Sequence, residues 1–211
     1  MGRHLPFSLP AVQAESASMT VTIETRRLLL RPFEPADAAV VEDYVARWEI
    51  ARMTTRIAHP YPKGAAAEWI ASHEAARQEA REYTFAVTLR GEAGPIGAVS
   101  LRHTEPGNLE LGYWLAPGHW GQGLATEAAQ AMVVYGFEKL AAEALTSGHF
   151  ADNPASGRVL EKAGFRANGI ARQWSEARQD FVDANRFLLT RESWQRARRI
   201  VAEKAPQERR S

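Results

Sequence analysis

The chain has 211 residues, 26 basic against 25 acidic, and a formal charge of +1, a balance that offers nucleic acid no broad electrostatic field. Its length favours one domain able to bury its own core, and the absence of cysteine removes disulfides, thiolate metal sites and acyl-cysteine intermediates. The histidines form no i, i+4 pair, and no apolar run approaches the roughly 20 residues of a membrane span, so neither a metal cluster nor a transmembrane helix has support.

Residues 1–18 contain Pro6 and Pro10 and follow no helical or strand period, which reads as a disordered tail and breaks up any signal-peptide core. One folded domain is expected over 19–195, followed by a charged tail over 196–211. Leu28 to Phe33 reads as a strand. Pro35 and Asp37 then start a helix whose apolar stripe is Val41, Tyr44, Val45 and Trp48. A second helix, from about Ala65 to Arg81, carries Trp69, Ile70 and His73. Three strands follow, Tyr83 to Leu89, Ile96 to Arg102 and Leu109 to Leu115, punctuated by Gly91, Gly94 and the turn Glu105-Pro106-Gly107-Asn108. After a glycine loop and a helix to about Phe137 come a strand from Leu145 to Phe150 and a short helix from Asn153 to Ala163. A closing hairpin near 165–172 and 181–190 leads to a helical tail from Glu192. The class is α/β (α+β): a mixed, mostly antiparallel central sheet of about six to seven strands flanked by helices, with one strand–helix–strand crossover.

The stretch from Asn108 to Ala128, NLELGYWLAPGHWGQGLATEA, is the most informative. A strand runs through a short turn into glycines at 121 and 123, which open directly into a helix. Glycines let backbone N–H groups approach a ligand closely, and the helix adds unpaired N–H groups and the positive end of its dipole, making a site for phosphate or pyrophosphate. A triphosphate P-loop does not fit, because Leu124 and Ala125 stand where Lys and Ser or Thr are needed. A dinucleotide fingerprint fits poorly, with Thr126 in place of its close-packing glycine.

The string Trp120-Gly121-Gln122-Gly123-Leu124-Ala125-Thr126-Glu127-Ala128 closely resembles the pyrophosphate loop of the GNAT superfamily of N-acetyltransferases, in its RimJ/RimL-type version. Trp120 replaces the superfamily's usual Gln or Arg, as is common in that branch. Three more stretches resemble the family in the right order: Thr25-Arg26-Arg27-Leu28-Leu29-Leu30-Arg31-Pro32, His59-Pro60-Tyr61-Pro62, and Asn153-Pro154-Ala155-Ser156 with Glu161-Lys162-Ala163-Gly164-Phe165. The resemblance covers roughly residues 20 to 191. It implies a GNAT-like fold, acetyl-CoA as cosubstrate, and direct transfer of acetyl to a primary amine in a ternary complex. It also implies a cytoplasmic enzyme, without nucleic acid, membrane or metal, in a family whose members are often homodimers.

The resemblance further assigns roles. Cofactor contacts fall on Leu115, Trp120, Gly121, Gln122, Gly123, Leu124, Ala125 and Thr126, with Asn153 on the pantetheine arm or capping its helix, or both. Glu127 reads as a first-turn acid favoured by the helix dipole rather than as a catalyst. Glu110 is the leading general base, acting through water, and His149 is its rival because imidazole titrates near neutral pH. The family's usual acid, a tyrosine before Glu-Lys-x-Gly-Phe, is Leu160 here. In the RimJ/RimL-type branch the serine of Asn-x-x-Ser takes that role, which points to Ser156. His59, Tyr61, Trp69 and Trp114 are candidate linings of the acceptor pocket, with core packing as the alternative. The acceptor class stays open between protein N termini and small amines.

Overall fold

The computed structural model describes residues 21–204. The readings of residues 1–18 and of the last residues of the tail lie outside that range. Eight strands form one sheet: β1 (Ile23–Glu24), β2 (Leu28–Arg31), β3 (Glu82–Leu89), β4 (Gly97–Glu105), β5 (Asn108–Leu115), β6 (Ala144–Phe150), β7 (Arg166–Ser175) and β8 (Asp180–Thr190). Their order is β1-β2-β3-β4-β5-β6-β8-β7. Every pairing is antiparallel except β5 with β6, which the crossover through α4 (Leu124–Glu138) makes parallel. The strand count exceeds the expected six to seven because the two-residue β1 joins the edge, too short to leave a period in sequence.

The remaining helices are α1 (Ala38–Val45), α2 (Trp48–Ala51), α3 (Ala65–Gln78), α5 (Pro154–Lys162) and α6 (Arg191–Lys204). Each face of the sheet holds a core. On one, α4 lays Leu124, Ala128, Met132 and Phe137 against Leu101, Leu109 and Leu145, and Leu160 of α5 and Phe165 close the edge. On the other, α1 and α3 pack Val41, Val45 and Ala66 with Tyr61, Trp69 and Trp114. Strand alternation divides β5 between the two: Leu109 and Leu111 turn to the α4 side, while Glu110 and Trp114 turn to the α1 side.

The expected first helix is corrected at its end. Val41 and Val45 are buried as the stripe required, but Arg47 is extended (φ −75°, ψ 129°) and breaks the helix before Trp48. Trp48 instead begins α2 and remains 44% exposed against His59, while Ile50 and Ala51 enter the core. Helix α6 also runs without interruption across the expected 195/196 boundary.

One departure from regular pairing positions the site. Strands β5 and β6 pair only over Asn108–Glu110 and Ala144–Thr146. Yet β5 stays paired with β4 to Leu115, and β6 with β8 to Phe150, so the two strands part beyond Glu110 and Thr146. Ser147 Oγ donates to the Leu111 carbonyl at 2.8 Å, pinning the apex of the split. Beyond that point the facing edges of β5 and β6 no longer pair with each other.

Candidate active site

The split opens into a cleft of about 1400 Å³, floored by β4 and β5 and bounded by the glycine loop, the start of α5 and the chain from α1 to α3. At one end, Gly121 (φ 73°) and Gly123 (φ 75°) take the left-handed conformation, and Gly123 is the N-cap of α4. Among the described residues, the backbone N–H groups from Gly121 to Thr126 find no backbone acceptor. Such a row of free donors at the positive end of a fifteen-residue helix suits an anion with several oxygens. Leu124 buries its side chain in the core, which anchors the helix start. Trp120 is 49% exposed, and its indole N–H donates to the Leu115 carbonyl at 2.7 Å, tying the loop to the end of β5. Leu115, Trp120, Gly121, Gly123, Leu124, Ala125 and Thr126 all line the cleft. Gln122 is set apart: its carbonyl accepts from Arg27 at 2.9 Å and its Nε2 donates to the Gly118 carbonyl.

Where the strands part, Glu110 lines the cleft and sits between two arginines. Arg102 donates to Oε2 at 2.6 Å and Arg186 to Oε1 at 3.2 Å. Each carboxylate oxygen keeps a second lone pair for water. Across from it, Asn153 caps α5, its Oδ1 accepting from the Ser156 N–H at 3.3 Å, with Pro154 at the first helical position. Ser156 lines the cleft, and its Oγ lies 2.7 Å from the Tyr113 hydroxyl. Leu160, where the family's usual tyrosine would stand, is completely buried in the α4-side core and has no access to the cleft.

His149 is nearly buried. The Phe150 carbonyl, 2.8 Å from Nδ1, can only accept, so Nδ1 is the donor. The ring lines the cleft, and its Nε2 faces α5: a Cβ on Gly157 would lie 2.7 Å from it. Tyr61, Trp69 and Trp114 both line the cleft and pack into the α1-side core, so their two readings hold together. Among the described residues, no helix is long and apolar enough to cross a membrane.

The sequence model of the acetyltransferase (GNAT) domain matches residues 27–166. The chain belongs to the GNAT acetyltransferase family. The relative described as the uncharacterised N-acetyltransferase YoaA of Bacillus subtilis is 29% identical over 174 residues, covering 80% of this chain and 96% of YoaA. A GNAT-family acetyltransferase from Bacillus anthracis superposes with a TM-score of 0.71 at 24% identity, over 82% of this chain and 99% of that one. Mycobacterium smegmatis RimJ, solved with CoA-disulfide, superposes with a TM-score of 0.70 at 21% identity, over 82% and 89% respectively. These structures share the fold, including an acyltransferase of the RimJ/RimL branch.

Within this GNAT frame, the structure adds residues that sequence reading did not single out. Arg27, in the β1–β2 turn, donates through its backbone N–H and Nε to the two oxygens of Glu127, each at 2.7 Å, while Thr25 Oγ1 adds a third bond at 2.7 Å. With the bond from Arg27 to the Gln122 carbonyl, this clamp joins the sheet edge to the glycine loop. Burial pushes the Glu127 carboxyl up, but the Thr25 and Arg27 hydrogen bonds outweigh it and hold the group below its ordinary range. Glu127 is thus a first-turn acid that also serves as a tether, a role its position in the helix did not reveal. Glu127→Gln removes the charge from the clamp and frees the loop. We expect acetyl-CoA to bind about tenfold more weakly, a loss of about 1.4 kcal/mol, with secondary structure unchanged. Calorimetric titration beside circular dichroism checks this.

Arg102, Arg186 and Tyr113 were equally unremarked. Arg102 is opposite Glu110 in the β4–β5 register, a pairing that alternation alone cannot reveal. Arg186 comes from β8, 76 residues away in the chain. For Tyr113 the sole signal was its place in the strand that leads into the glycine loop.

Proposed function

We propose that the protein transfers acetyl from acetyl-CoA directly to a primary amine, either a protein N terminus or a small amine, in a ternary complex. The observation that carries this reading is the split between β5 and β6, which leads from a row of free N–H donors to a point flanked by Glu110 and Ser156. The pyrophosphate would take the N–H groups of residues 122–125, with the Thr126 hydroxyl beside them. The pantetheine arm would run along the parted strand edges, with Asn153, which lines the same cleft, beside it. The solved complex of RimJ with CoA-disulfide supports this occupant.

Direct attack needs a neutral amine nitrogen. Glu110, held between Arg102 and Arg186, takes the ammonium proton through a water on its free lone pair. We favour it over His149, which is 8% exposed with its Nε2 turned to α5. The nitrogen attacks the thioester carbon, the C–S bond breaks, and the departing sulfur takes a proton from Ser156. Tyr61, Trp69 and Trp114 supply apolar surface at the acceptor end. A cytoplasmic setting, where acetyl-CoA is supplied, fits this reading.

The test is calorimetric titration with acetyl-CoA, desulfo-CoA and NADH, followed by CoA-release assays on an amine panel of N-terminal peptides, polyamines and amine metabolites. Micromolar binding of both CoA compounds, none of NADH, and turnover with one amine support the reading. Glu110→Gln should then lower turnover by about 10²-fold or more with little change in acetyl-CoA affinity. CoA binding without any turnover would leave an acyl-CoA sensor instead, and no CoA binding would overturn both.

A further inference from the structure

The Ser156 hydroxyl is not alone in the cleft. Tyr113 extends from β5 beneath the first turn of α5, packed against the α4-side core, and its hydroxyl has two partners on one residue. It lies 2.7 Å from Ser156 Oγ and 3.1 Å from the Ser156 carbonyl. The carbonyl can only accept. The serine oxygen can accept or donate, so the single phenolic proton has two destinations. Given to Oγ, it leaves the serine's own proton free to point into the cleft.

We propose that Tyr113 is the positioning residue of the acid step: its O–H donates to Ser156 Oγ, aims the serine proton at the departing sulfur, and stabilises the negative charge left behind. This rests on the reading of Ser156 as acid. The N–C bond forms and the C–S bond breaks, with the sulfur keeping the electron pair and taking the Ser156 proton. The proton shed by the attacking nitrogen returns to Ser156 Oγ through water. Tyr113 gives up no proton overall. Burial pushes its phenol up to about 12, opposed only by the Ser156 bond, so it stays a donor across the working range. An isolated serine is a poor acid, and a fixed donor on its oxygen lowers the cost of the transient alkoxide.

The experiment uses the full chain and the amine giving the fastest CoA release in the panel. Wild type, Tyr113→Phe, Ser156→Ala and the double variant are compared for kcat, KM and acetyl-CoA affinity. Ser156→Ala should lower kcat about 10²-fold or more, and Tyr113→Phe about tenfold, with KM and affinity held. In the Ser156→Ala background, Tyr113→Phe should cost nothing further. An unchanged kcat in Tyr113→Phe, or an equal loss in both backgrounds, overturns the inference and leaves Ser156 as acid. Full activity in Ser156→Ala overturns the acid reading itself and this inference with it. Should Tyr113→Phe fail to fold, Tyr113→fluorotyrosine keeps the hydroxyl while making it more acidic. In that variant kcat must fall at a high pH where wild type still holds it, and an unmoved profile overturns the proposal.

Discussion

Gly123→Glu is expected to remove measurable acetyl-CoA binding while leaving a folded protein. Gly123 holds φ 75° as the N-cap of α4, and a Cβ there would point toward Arg27, 3.5 Å from its Nη2. The longer glutamate would extend a carboxylate among the N–H donors assigned to pyrophosphate, replacing an anion site with an anion. A non-glycine residue in the left-handed region costs about 1–2 kcal/mol, small beside the total stability of a domain of this size. Loss of the donors and the added repulsion should weaken binding at least about 100-fold, or about 2.8 kcal/mol. Titration calorimetry with acetyl-CoA, beside thermal unfolding, separates the two effects. An unchanged affinity would refute the placement of the pyrophosphate.

Asp37→Ala is expected to cost the most stability of any single polar substitution considered. Asp37 is 5% exposed just before α1, and Arg31 of β2 grips both its oxygens, at 2.7 and 2.9 Å. The Glu34 N–H adds a third bond at 2.8 Å. Removing the carboxylate strands a mostly buried guanidinium, a loss of about 3–5 kcal/mol. It also loosens the start of α1, whose Val41 and Val45 line the acceptor side of the cleft, so turnover should fall along with stability.

The same pair predicts a pH dependence. Burial raises the Asp37 carboxyl, but the Arg31 hydrogen bond, the Glu34 N–H and the Arg31 charge together hold it below its ordinary value. A depressed folded-state pKa stabilises the fold fully above the unfolded value, near 3.9, and that contribution disappears as pH falls through the folded value. Melting temperature should therefore drop more steeply on acidification in wild type than in Asp37→Asn. Parallel curves would show that Asp37 does not carry the dependence.

Elements with strong local signals were legible. The strand alternation of Leu109–Leu115, the proline-capped start of α5 and the glycine pair before α4 each appear where their residues dictate. Glu127 as a first-turn acid and Asn153 as a cap were readable because both are marked by their place at a helix start, while the long-range bonds of Glu127 were not. Trp48 was misplaced because an i, i+7 stripe does not record the one extended residue, Arg47, that ends the helix between Val45 and Trp48. Strand β1 is only two residues long, too short to set a period of its own.

Sequence by itself determined the fold class, the family and the place of the glycine loop before its helix, since each is written in contiguous residues whose conformational preferences are local. It also brought Glu110 and Ser156 forward as candidates. Tertiary structure decided which groups face them. The parting of β5 from β6 depends on where a parallel pairing stops, and no residue encodes that. The Arg102–Glu110–Arg186 bridge, the Arg27 clamp on Glu127 and the Tyr113 hydroxyl on Ser156 join positions 8, 76, 100 and 43 residues apart. Hydrogen bonds act over about 3 Å in space, and only the folded sheet brings those side chains within that distance.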